Sequence, residues 1–200
     1  MTDVVIVDSG GANLASLAFA LARIGASCHV SADPALIARA PRVILPGVGA
    51  AAPAMQRLRE AGLVPILRAR SMPLLGICLG MQLLFEYSDE GDTDTLGLLP
   101  GRVRALEAQP GCRVPHMGWN TVRAMGPEPL LAGLPDSSWF YFVHGYYVPG
   151  EASSVVALTD YGRPIGAVVR RGTIAGVQFH PERSSDAGRR ILENFLESGA

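Results

Sequence analysis

Two hundred residues, 48% of them apolar and 18% charged, suit one domain with a sizeable core and exclude a disordered chain. The formal net charge is −1 and the cations are dispersed, so no basic stripe is available for nucleic acid. All 17 cations are arginine, and without lysine the chain cannot be a P-loop ATPase, a lysine Schiff-base enzyme or a covalent pyridoxal enzyme.

Val4-Val5-Ile6-Val7 reads as a buried strand. An amphipathic helix follows, with Leu14, Leu17, Ala18 and Leu21 on one face and an end near Gly25. Residues 28–30 and 42–45 are predicted as the second and third strands, and 50–70 as helix, broken near Gly62 and Pro65. Residues 73–77 are a strand running into a helix from Leu79. Strands alternating with helices imply βαβ units and a parallel sheet. Beyond Arg102 the rhythm changes to strands at 139–148, 154–158, 165–170 and 173–179, with Arg171-Gly172 as a hairpin turn. A final helix over 187–197 aligns Ile191, Leu192, Phe195 and Leu196. There is no internal repeat or linker, so residues 1–200 read as one α/β domain with a mixed sheet.

Three cysteines, Cys28, Cys78 and Cys112, are spaced for neither a zinc site nor a disulfide framework. The N-terminus has no leader-like region, and the longest nearly apolar run, 74–85, is too short to span a bilayer. A cytoplasmic chain with no membrane partner is expected. The four histidines lack metal-ligand spacing, so no metal is expected either.

One cysteine stands out. Gly76-Ile77-Cys78-Leu79-Gly80 has the form G-x-C-x-G between a predicted strand and a predicted helix, the thiol version of a nucleophile elbow. A helix N-terminus behind the sulfur would favour the thiolate. The competing reading is a buried structural cysteine between packing glycines. His180-Pro181-Glu182 supplies a base and its orienter, because Pro181 holds His180 extended and an extended segment projects positions i and i+2 to one side. Standing alone, that tripeptide would be a strand-end histidine beside a solvated glutamate. With an elbow cysteine in the same chain, the triad reading takes precedence. His29 reads as structural, and His116 and His144 have no carboxylate at a comparable offset.

Pro46-Gly47-Val48-Gly49-Ala50-Ala51-Ala52 formally matches the dinucleotide fingerprint G-x-G-x-x-A. It sits at the third strand instead of the first, and the next strand ends in Cys78 where an acid is needed. Backbone N–H groups of Val48 and Gly49 suit an oxyanion hole, with Leu79 as the other donor. A catalytically silent binding domain of the same fold is the third alternative; an intact Cys78, His180 and Glu182 argues against it.

Five blocks run in order along nearly the whole chain: Pro46-Gly47-Val48-Gly49, residues 76–84, Pro115-His116-Met117-Gly118-Trp119-Asn120, residues 140–144, and residues 179–184. On these blocks the chain resembles the class I (triad) glutamine amidotransferases. Within them it resembles the glutaminase-subunit family of imidazole glycerol phosphate synthases, which serves histidine biosynthesis. The resemblance implies a flavodoxin-like α/β fold with a mixed, mostly parallel central sheet flanked by helices. It implies glutamine as substrate, no cofactor, and a heterodimer with a cyclase subunit, a (β/α)₈ barrel that receives ammonia. It makes Cys78 the nucleophile, His180 the base and acid, and Glu182 the orienter. It also places Gly49, Gln82 and Tyr146 in the glutamine pocket, and Asn13, Trp119, Tyr141 and Arg183 on the partner face. The chain departs from the family at Ser9-Gly10-Gly11-Ala12, where Tyr-Gly-Met-Gly is usual, and at Ala51, where an aromatic is usual.

Overall fold

The computed structural model describes residues 4–8, 10, 14–69, 71 and 73–197. Ser9, Gly11, Ala12 and Asn13 therefore lie outside the described residues, and with them the partner-face assignment of Asn13. The elements are β1 (Val4–Val7), α1 (Leu14–Arg23), β2 (Cys28–Ser31), α2 (Pro34–Arg39), β3 (Val43–Gly47), α3 (Ala51–Glu60), α4 (Leu63–Arg68), β4 (Leu74–Cys78) and α5 (Leu79–Gln82). They continue as β5 (Tyr87–Ser88), β6 (Thr93–Asp94), β7 (Arg102–Ala105), β8 (His116–Ala124), β9 (Ser138–His144), β10 (Tyr146–Tyr147), β11 (Val155–Asp160), β12 (Pro164–Arg171), β13 (Ile174–Val177) and α6 (Ser185–Glu197).

Nine strands form one sheet in the order β2-β1-β3-β4-β13-β12-β11-β8-β9. From β2 to β13 neighbours are parallel, and from β13 to β9 they are antiparallel. The sheet is mixed as expected, but with four parallel and four antiparallel pairings it is not mostly parallel. A second small sheet, β10-β7-β5-β6, sits beside it.

Both faces of the large sheet are covered, which is why its central strands are continuous apolar runs. In β1, Val5 and Val7 pack on one side with Met55 and Leu58 of α3 and Leu63 and Leu67 of α4. Val4 and Ile6 pack on the other side with Leu17 and Leu21 of α1 and Ile191, Leu192 and Phe195 of α6. Helix α1 ends as expected: Gly25, at φ +78°, turns the chain while the Gly25 and Ala26 N–H groups close back on Ala22 and Leu21.

Three local differences have simple causes. Helix α2 is absent from the predicted elements, although Asp33 caps it by accepting the Ala35 N–H at 2.9 Å and Pro34 opens it. The β12–β13 hairpin pairs Arg171 with Ile174, so its turn is Gly172-Thr173, one residue beyond the predicted one. His29, expected to be structural, is exposed on the edge strand β2.

Candidate active site

The parallel strands β3, β4 and β13 direct their C-terminal ends to one rim of the sheet, where open α/β sheets place their sites. Cys78 ends β4 at φ 53° and ψ −112°, a conformation costly for any residue with a Cβ and typical of a strained elbow. The turn is possible because its flanking glycines leave room. A Cβ on Gly80 would collide with the Leu45 carbonyl, and one on Gly76 would come within 2.7 Å of the Gly80 oxygen and the Met81 backbone. Helix α5 behind the thiol is a single turn of four residues. The helix-dipole contribution expected from a longer helix is correspondingly small.

His180 is extended, at φ −100° and ψ 100°, as the following proline requires. Residues 181–183 then close into a 3₁₀ turn, so Glu182 is brought round by that turn and not by extended alternation. Glu182 Oε1 lies 2.9 Å from His180 Nδ1, with both side chains about 95% buried. Nδ1 being taken, Nε2 is the ring nitrogen left to face the Cys78 side chain. Burial by itself would push the imidazole pKa down. The bonds to Cys78 and Glu182 and the attraction of their charges outweigh it, and the pKa is pushed up to about 10. At neutral pH His180 is therefore an imidazolium, ready to give a proton to a leaving amine.

The linkage sign follows from that direction. The folded pKa lies above the ordinary 6.5, so the stabilisation from the proton is complete below about pH 6.5 and disappears as pH rises through about 10. Denaturation followed above about pH 8.5, where an unfolded cysteine is ionised too and no longer offsets the His180 proton, is expected to show stability falling towards pH 10. Cys78→Ala, which removes one partner of the imidazolium, is expected to flatten that decline. An unchanged slope would mean that the sulfur does not hold the proton.

A cavity of about 570 Å³ opens over the sulfur, lined by Gly47, Val48, Gly49, Leu79, Gln82, Glu90, Val143, His144, Tyr146, His180 and Arg183 among others. Every residue expected in the oxyanion hole or glutamine pocket borders it. Gly49 takes φ +93°, which explains glycine there although a Cβ would meet nothing within 4 Å. Gln82 donates from Nε2 to the Tyr146 carbonyl and to Gln178 Oε1, each at 2.9 Å.

Sequence reasoning missed Glu90. Its Oε2 accepts the Ala51 N–H at 2.8 Å, and burial pushes its pKa up, with the Ala51 hydrogen bond opposing. The acidic stretch Ser88-Asp89-Glu90-Gly91-Asp92 looks like a solvated turn, and only the fold brings one of its carboxylates into the cavity.

Trp119, Tyr141 and Arg183 form one outward patch. The Arg183 guanidinium lies 4.6 Å above the Tyr141 ring, and Trp119 meets that ring edge-on at 6.1 Å. Tyr141 is also wired to the base: its carbonyl accepts the His180 N–H at 2.9 Å. Its own N–H donates to Ser184 Oγ at 2.9 Å, and that hydroxyl donates to the His180 carbonyl at 2.7 Å.

Residues 5–198 match the family model for glutamine amidotransferase class-I. The chain belongs to the class I glutamine amidotransferases. A curated relative from Xanthomonas euvesicatoria pathovar vesicatoria, imidazole glycerol phosphate synthase subunit HisH, is 58% identical over 98% of both chains. The protein of the same name from Xylella fastidiosa is 52% identical over the full length of both. A solved glutamine amidotransferase crystal structure superposes with a TM-score of 0.75 over 96% of this chain and 97% of the other. At 22% identity that likeness speaks for the fold alone. The expected α/β amidotransferase fold and glutaminase class are thus found. No helix among the described residues is long and apolar enough to cross a membrane.

Proposed function

We propose that this chain is the glutaminase subunit of an imidazole glycerol phosphate synthase, with residues 1–200 as a single amidotransferase domain. It releases ammonia from glutamine at Cys78 and delivers it to a cyclase subunit, a (β/α)₈ barrel, for histidine biosynthesis in the cytoplasm. The observation that carries the chemistry is that Cys78 and His180 border the cavity together while Glu182, buried behind, holds the far nitrogen of the His180 ring.

The Cys78 thiolate attacks the carboxamide carbon of glutamine, and the carbonyl electrons move onto oxygen. Backbone N–H groups of Val48 or Gly49 and of Leu79 receive that oxyanion. The His180 imidazolium gives its proton to the amine as the C–N bond breaks, leaving a γ-glutamyl thioester and ammonia. The now neutral His180 takes a proton from water as the water oxygen adds to the thioester carbonyl. Collapse frees glutamate and restores the thiolate, and no cofactor enters any step. Glu182 keeps the ring in the tautomer that presents Nε2 to the sulfur. Glu90, the carboxylate among the described lining residues, is suited to the substrate's α-ammonium, and Gln82 to its amino-acid end. The patch of Trp119, Tyr141 and Arg183, to which the resemblance adds Asn13, is the face offered to the cyclase.

Glutamate release by the chain mixed with its cyclase tests this reading, and the three triad variants grade it. Glu182→Gln is expected to lose less activity than Cys78→Ser or His180→Ala, because an orienting group joins none of the bonds being made. Wild-type rates in Glu182→Gln would remove it from the triad.

A further inference from the structure

Two buried histidines outside the triad lie against the wall of the cavity. The β8–β9 register sets His116 opposite His144. They are 2% and 5% exposed, and the His116 ring is stacked between Phe142 and Tyr161 at 4.9 and 3.9 Å. His116 Nδ1 lies 2.9 Å from His144 Nε2, His144 Nδ1 lies 2.8 Å from the Tyr146 carbonyl oxygen, and Asn120 Nδ2 lies 3.3 Å from His116 Nε2.

These contacts allow one proton arrangement. A carbonyl only accepts, so His144 Nδ1 carries a hydrogen and donates it to Tyr146. In a neutral ring Nε2 must then accept, which makes His116 Nδ1 the donor and leaves His116 Nε2 to accept from the Asn120 amide. Burial keeps both rings neutral, with pKa values pushed down to about 4 for His116 and about 3 for His144. Protonation of either ring would set two donors against each other.

The chain continues past Tyr146. That carbonyl uses both its lone pairs, one for His144 Nδ1 and one for Gln82 Nε2. Gln82 gives its second amide hydrogen to Gln178 Oε1, and Gln178 Nε2 lies 3.7 Å from Cys78 Sγ. Both hydrogens of Gln82 being committed, Oε1 is the polar atom it has left to offer the cavity it lines.

We infer that His144, backed by His116 and Asn120, is a positioning residue for glutamine. By holding the Tyr146 carbonyl it fixes which way the Gln82 amide faces the substrate, as a middle link in a hydrogen-bonded chain from strand β8 to the nucleophile. The inference rests on the glutaminase reading of the cavity and adds to it one wall residue, His144, backed by His116 and Asn120, which do not line it.

Two substitutions of similar size separate positioning from packing. His144→Asn places an amide N–H where Nδ1 stands and keeps the donor to Tyr146. His144→Gln reaches the Nε2 position instead, keeping the bond to His116 and losing the one to Tyr146. The readout on the full chain is alkylation of Cys78 by two electrophiles: a diazoketone analogue of glutamine, which needs the pocket, and iodoacetamide, which does not. With the analogue, His144→Gln is expected to react about tenfold more slowly than wild type and His144→Asn within about threefold of it. Iodoacetamide rates are expected to stay level across all three. Equal analogue rates in the two variants, a slower rate in His144→Asn, or parallel slowing with both electrophiles would overturn the inference. A wild-type chain that iodoacetamide alkylates but the analogue does not would overturn the glutamine reading, and this inference with it.

Discussion

Cys78→Ser is expected to lower glutamine hydrolysis by the assembled enzyme about 10⁴-fold or more, the scale seen when a nucleophile acting with its base is removed. Serine keeps the shape of the elbow but offers an oxygen that His180 cannot hold as an anion. Trp119 and Tyr141 of the outward patch stand outside the cavity over the sulfur, and the substitution changes a single atom, so assembly with the cyclase is expected to survive. Cyclase turnover in that variant is then expected to return when ammonium salt is supplied at raised pH, because ammonia is all this subunit contributes. Two rates measured side by side decide it: glutamine-dependent turnover and ammonia-dependent turnover. A properly assembled complex that ammonia fails to rescue would refute the division of labour.

The second large effect concerns the partner. The isolated chain is expected to hydrolyse glutamine about 10²–10³-fold more slowly than the complex with cyclase and its nucleotide ligand, the usual scale for one missing oxyanion donor. Gly47 ends β3 in register with Cys78, and the Val48-Gly49-Ala50 segment beyond it has little side-chain bulk to fix its peptides. Gly49 sits at φ +93° with open space around it, and Ala50 gives α3 no side-chain cap. Glu90 holds the Ala51 N–H just beyond the segment. Rotation of one peptide there exchanges a carbonyl for an N–H over the sulfur, and a partner that favours one orientation acts as a switch. Tyr141, on the patch proposed as the partner face, is hydrogen-bonded to both ends of the His180–Ser184 turn. Glutaminase rates for the chain alone, with cyclase, and with cyclase plus nucleotide measure the effect. Full activity in a demonstrably monomeric chain would refute the switch.

The parts of the site legible in the sequence are those encoded by local chemistry. Glycines beside Cys78 announce a tight turn, proline after His180 announces an extended residue, and continuous valine and leucine runs announce strands covered on both faces. Strand β8 escaped because its outer face is open: Met117 and Trp119 are exposed while His116 is buried, so hydrophobicity does not alternate inward and outward. Strands β5 and β6 have two residues each, too few to carry any period, and the strand read over 139–148 divides after His144 into β9 and β10, which join different sheets. The His116–His144 pair spans 28 positions and exists only through the β8–β9 register. Glu90 is likewise placed by the fold.

The nucleophile itself can be caught in the act. Wild-type enzyme assembled with cyclase, mixed with glutamine and quenched in acid during turnover, is expected to carry a γ-glutamyl group on the peptide containing Cys78, identified by mass spectrometry. The adduct is expected to be absent in Cys78→Ser, and Cys28 and Cys112 are expected to remain unmodified in both. A glutamyl adduct on Cys28 or Cys112, or glutamine turnover undiminished in Cys78→Ser, would contradict the assignment of Cys78 as the nucleophile.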